Sequence, residues 1–124
     1  MSFAGDVAKF NREALAKADK DRRAIIIKLF TSVIRDTPVD TGRARNNWLT
    51  SIKAPAAGTP NPPSKSAADA LSAAAGPLGK LGDDAYLTNN VEYIGYLEYG
   101  TPKMAPFVMV RRNMARIVSL FGGR

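Results

Sequence analysis

A chain of 124 residues that is 45% apolar has material for one domain, residues 1–124, around a single modest core. It holds neither cysteine nor histidine, which excludes a disulfide, a thiolate nucleophile, the usual zinc site and an imidazole general base, and with them most small-enzyme chemistry. The formal net charge of +7 sits at the ends: residues 1–36 carry +3, 37–53 carry +2, 54–85 and 86–103 carry −1 each, and 104–124 carry +4, an asymmetry that suits nucleic acid, an acidic protein surface or a solvated helix face.

In chain order, the first element is a long helix from about Phe3 to Arg35, within residues 1–36, with no proline and no glycine after Gly5. Its first half has a thin apolar stripe, Val7, Phe10, Ala14 and Ala18, among charged residues. Its second half carries Ile25, Ile26, Leu29, Phe30, Val33 and Ile34, two apolar residues per turn, a face broad enough to cover a sheet. Glu13–Lys17 and Asp19–Arg23 stand at i, i+4 with the acid first, an orientation that supports an exposed helix. Pro38 biases Thr37 out of the helical region and ends the helix near Asp36.

A turn follows at Val39-Asp40-Thr41-Gly42. Asp40 and Thr41 can accept hydrogen bonds from the backbone just beyond them, and Gly42 can take a positive φ, so that Arg43 and Arg45 would project from a fixed base. Arg43 to Lys53 reads as a strand, after one turn of helix at most, with Trp48 packed under the first helix. Residues 54–85 change character, with Pro55, Pro60, Pro62, Pro63 and several glycines around an alanine-rich stretch, Ala67–Ala75, of helical composition. This segment reads as a long flexible arm or loop.

Order returns at Tyr86–Asn90, a second strand. Over Val91–Tyr99 the tyrosines 93, 96 and 99 recur every third residue, which favours a short buried helix stopped by Gly100. The tyrosines combine apolar area with a hydroxyl and suit a half-buried position or an interface. Glu98 is placed to pair with an arginine, in its own subunit or across an interface. Residues 104–124 hold a final helix with Pro106 near its first turn, Phe107, Val110, Met114, Ile117, Val118 and Phe121 on one face, and Arg112 and Arg116 on the other. No apolar run approaches the roughly 20 residues of a membrane span, and the N-terminus lacks a secretory pattern, so the chain is expected in the cytoplasm and not in a membrane.

The segment Thr37-Pro38-Val39-Asp40-Thr41-Gly42-Arg43-Ala44-Arg45-Asn46-Asn47-Trp48 resembles the TPVDTGxLRxSW signature of phage tail-completion and neck proteins, including the Z-like minor tail proteins. Asn89 to Thr101, with Tyr93, Glu98 and Gly100-Thr101, is similar to that family's NxxxYAxxxExGT segment, and Met104-Ala105-Pro106-Phe107 to its xAxPF lead-in to the last helix. The order and spacing of the three segments match across the ordered chain. Ala44 stands where the family usually has leucine and Ile94 where alanine is common, which alters local packing. The resemblance implies an α+β fold, with the terminal helices on a small, mostly antiparallel sheet, and a structural role without cofactor. The subunit would form a ring with copies of itself at the head–tail junction of the virion, between the head connector or adaptor and the tail terminator or tail tube. Assembly would take place in the bacterial host cytoplasm, with DNA in the channel as a further contact.

Two rivals come from other classes. Asp40-Thr41-Gly42 is the triplet of aspartic proteases, whose chemistry needs two such aspartates sharing a proton across a dimer axis; the flanking Pro38 and Arg43, the long preceding helix and the few strands argue against it. A nucleic-acid binder would use Arg111, Arg112, Arg116 and the basic first helix, and its affinity would fall steeply with salt.

Overall fold

The computed structural model describes residues 3–76 and 78–121. With no proline inside it, the first segment winds into one helix, α1 (Phe3–Asp36), with Asp6 in its first turn and Arg35 in its last, both favourable to the helix dipole. Its end is fixed by Thr37, whose hydroxyl donates to the Val33 carbonyl at 2.7 Å and accepts the indole N–H of Trp48 at 2.9 Å. After the turn come α2 (Arg43–Asn46), β1 (Trp48–Ile52), α3 (Ala68–Ala74), β2 (Ala85–Asn89), α4 (Ile94–Tyr99) and α5 (Met109–Phe121).

The two strands pair antiparallel, Trp48 opposite Asn89 and Ile52 opposite Ala85. Together with the terminal helices they make the expected α+β arrangement. Phe30, Val33 and Ile34 of α1 meet Trp48, Ala70, Ala74, Leu78 and Met109 in one buried cluster, flanked by Ile26, Ile27 and Leu29. Each large side chain so buried contributes about 1.5–3 kcal/mol. None of the helices described is long and apolar enough to cross a membrane.

Four expectations need correction. The 54–85 segment is bound to the body rather than left as a flexible arm: Ala70, Ala74 and Leu78 sit in the core, and Asn61 is clasped by the buried Asn47, which donates to its carbonyl and accepts its N–H at 2.9 and 3.0 Å. Composition hides this, because a proline- and glycine-rich segment with few large apolar residues reads as solvated, while here small alanines and Leu78 supply the buried contacts. Lys17 pairs with Asp21 at 2.8 Å rather than with Glu13, while Asp19–Arg23 forms as expected at 3.1 Å.

The helix at Val91–Tyr99 is shorter and more open than its apolar content suggests; Glu98 is its buried residue, with Tyr96 and Tyr99 exposed. Finally, α5 starts at Met109, not near Pro106, and is turned so that Met109 and Asn113 face the core while Met114 and Val118 lie exposed. Asn113 sets that rotation. Its amide donates to Asp36 at 2.8 Å and to the Met109 carbonyl at 2.7 Å, and it is fully buried, so the tertiary hydrogen bond overrides the apolar pattern. Residues 122–124, part of the expected helix, lie outside the described residues, as does the side chain of Phe121.

Candidate functional site

The two sequence segments that carry the family resemblance come together in space. In the first, Gly42 has φ +86, and a Cβ there would lie 1.7 Å from the Ser64 carbonyl oxygen. Only glycine fits, both for the backbone conformation and for the approach of the 61–66 strap. The Thr41 hydroxyl accepts the Arg43 N–H at 3.2 Å and opens α2; Asp40 is exposed.

Arg43 and Arg45, expected to project, instead fold onto the protein. Arg43 pairs with Glu92 at 2.9 Å and lies 5.9 Å from the Tyr93 ring centre. Its hydrogen bond holds the Glu92 carboxyl below the usual carboxylate range. Arg45 donates to the Lys65 carbonyl. Trp48 is core, 6% exposed.

The second segment is tied to the first by asparagine. Asn89 donates from its amide to the Ala44 carbonyl at 2.7 Å and accepts the Val91 N–H at 3.0 Å. Between the 38–44 turn and α4 there remains an open cleft of about 310 Å³, with Val39, Asp40 and Arg43 on one wall and Tyr93 and Leu97 on the other. Tyr96 and Tyr99 stand exposed beyond it, 61% and 68%.

Glu98 resolves the choice left open by the sequence: its partner is in its own subunit. One carboxylate oxygen accepts the Val110 N–H at 2.8 Å, and the other accepts the Arg111 N–H at 3.0 Å and its Nε at 2.9 Å. These amides belong to the second and third residues of α5 and have no acceptor within the helix. Glu98 thus caps a helix that begins eleven residues later in the chain, in the manner of an N-cap side chain. Burial alone would push its carboxyl up, but the two backbone N–H groups and the Arg111 guanidinium outweigh burial and hold it below the usual range.

The delegated cap has a local reason. The residue just before α5 is Val108, at φ +53, a conformation a β-branched residue adopts only when its surroundings impose it. Gly100, at φ +79, permits the return of the chain, since a Cβ there would sit 2.8 Å from the Met104 carbonyl oxygen. Arg111 also lies 4.4 Å from the Tyr99 ring centre. Arg116 donates to Asn113 at 3.1 Å, and Arg112 is exposed.

Among the described residues no three histidine, cysteine or carboxylate side chains are grouped to hold a metal. Asn89, which joins the two segments, was missed from the sequence, as were Asn46, Asn47 and Asn61, which hold the 61–62 stretch to the body, and Asn113, which ties α5 to α1. Comparison of the chain with protein-family models, curated proteins and solved structures gave no match.

Proposed function

We propose that the protein is a structural subunit of the head–tail junction of a long-tailed phage, a tail-completion or neck protein that works as one copy in a ring. The observation that supports this reading is the joining of the two motif segments. Residues 37–48 and 89–107, far apart in sequence and each carrying part of the resemblance, are held to one another by Arg43–Glu92 and Asn89–Ala44. Their functional groups are spent on structure: Thr41 opens α2, Glu98 caps α5, and Arg43 and Arg45 fasten loops. Such spending suits a rigid building block better than a reaction centre. The cleft beside Tyr93 and the exposed Tyr96 and Tyr99 offer a neighbour apolar area with hydroxyl handles.

The protease reading is disfavoured because Asp40-Thr41-Gly42 forms a helix-opening turn here. The nucleic-acid reading loses two of its three C-terminal arginines to internal partners, Arg111 to Glu98 and Arg116 to Asn113. The test is electron microscopy of lysates from the parent phage with an early stop codon in this gene. Filled heads beside unattached or malformed tails are expected; intact infectious particles would refute the assignment.

A further inference from the structure

The register of the two strands decides which backbone groups face outward. Lys53 donates its N–H to the Asp84 carbonyl at 2.9 Å, so the pairs that exchange hydrogen bonds are Lys53–Asp84, Ser51–Tyr86 and Leu49–Thr88. The N–H and C=O groups of Ala85, Leu87 and Asn89 therefore point away from β1. Among the described residues these backbone groups have no hydrogen-bond partner. β1 has an outward row as well, but α3 packs beside it, whereas no strand pairs with β2 on its outer side. Native edges are commonly guarded by lysine, proline or a bulge. β2 reads Ala-Tyr-Leu-Thr-Asn in unbroken register and has none of the three.

The open edge runs into a roofed slot. Leu87 lines a groove of about 160 Å³ with Phe30 of α1 and with Val110 and Met114 of α5, and Met114 is 52% exposed. α5 packs along α1, and packed helices stand about 8–10 Å apart where strands stand about 4.8 Å apart. α5 thus reaches past β2 and roofs the place of a third strand. The backbone row and the apolar roof call for the same ligand, an extended chain that pairs with β2 and turns every second side chain towards Val110 and Met114.

We infer that β2 takes a third strand from a different protein: an extended, proline-free segment about as long as β2, with aliphatic side chains at alternate positions. The inference goes beyond the ring reading and does not rest on it. A second copy entering by its own sheet is excluded by shape, because the α1 that covers its strands, as it does here, would fall on α5. The chain's other non-helical stretches do not fit either. Prolines in 37–42, 54–67 and 101–108 leave no free run as long as β2, and 90–93 is shorter than β2. The 78–84 stretch is bent at Gly79 and Gly82, both at positive φ, and is pinned by Arg22 and Arg23.

The test follows the full-length, isotope-labelled protein by amide hydrogen exchange and NMR. The probe is a capped peptide of alternating valine and threonine, the length of β2, between lysine ends. In the free protein the Leu87 amide should exchange at least tenfold faster than those of Tyr86 and Thr88, which β1 protects. Saturating peptide should slow Leu87 at least tenfold and leave Tyr86 and Thr88 unchanged. Two further peptides, N-methylated on the valines or on the threonines, each have one edge blocked; one should bind and the other should not. Equal binding by both would mean that side chains alone enter the groove, and would overturn the pairing. Leu87 protection that rises with protein concentration, without peptide, would put a second copy on the edge. No peptide effect up to millimolar concentration would leave the edge without a strand partner, and either of these last two results overturns the inference.

Discussion

From Ala4 to Ala18 the first helix is exposed at every position, whereas from Ile26 onward it supplies Phe30, Val33 and Ile34 to the core. Both halves belong to one uninterrupted helix of 34 residues, and both show apolar residues at helical spacing. What separates them is the width of the apolar face. A stripe of one residue per turn, half of it alanine, gains too little burial to hold a partner surface alone, while two large residues per turn gain several kcal/mol. Periodicity identifies a helix; the area behind the period decides what it packs against.

The sharpest way to break this contrast is at its buried end. Ile34→Ala, at a fully buried position, is expected to cost about 2–5 kcal/mol, read as a drop in the urea midpoint; a loss under about 1 kcal/mol would mean that the core collapses around the gap. Gly42→Ala comes next. Its backbone conformation alone should cost about 1–3 kcal/mol, and displacing Ser64 should raise hydrogen exchange over 61–66 before the rest of the body.

Glu98→Gln removes the charged cap of α5 and should cost about 1 kcal/mol near neutral pH. Its sign with pH is fixed. The folded carboxyl lies below its ordinary value of 4.5, so the stabilisation is full above that value and is lost as pH falls through the folded one. Wild type and variant should therefore converge in acid, and a gap that persists there would count against the cap. The smallest effect belongs to the exposed half, where Phe10→Ala should change monomer stability by less than ~0.5 kcal/mol, measured by thermal unfolding.

Local rules made part of the molecule legible. The length of α1, its stop before Pro38, the glycine turn at Gly42, both strands and the end of α4 at Gly100 follow from residues acting on near neighbours. The same holds for Trp48, whose size directs it under α1. What escaped are features made by distant polar partners: the clasp of Asn47 on Asn61, the hold of Glu98 on α5, and the Asn113–Asp36 bond that rotates α5. Each spends a side chain on a backbone group or carboxylate fourteen, twelve or seventy-seven residues away, and nothing in local spacing announces it. Of these partnerships the sequence suggested only that of Glu98 with an arginine, which the structure supplies as Arg111.

The missing hinge in α1 has a mechanical consequence. Between Asp6 and Asp36 there is no glycine or proline at which the rod could bend sharply, and at 1.5 Å per residue it is about 51 Å long. A neighbour that pulls on the outer turns exerts torque on Phe30 and Val33, because the helix transmits a tilt rather than absorbing it. The outer half is then a lever whose fulcrum is the hydrophobic core, and any load borne at one end is felt at the other.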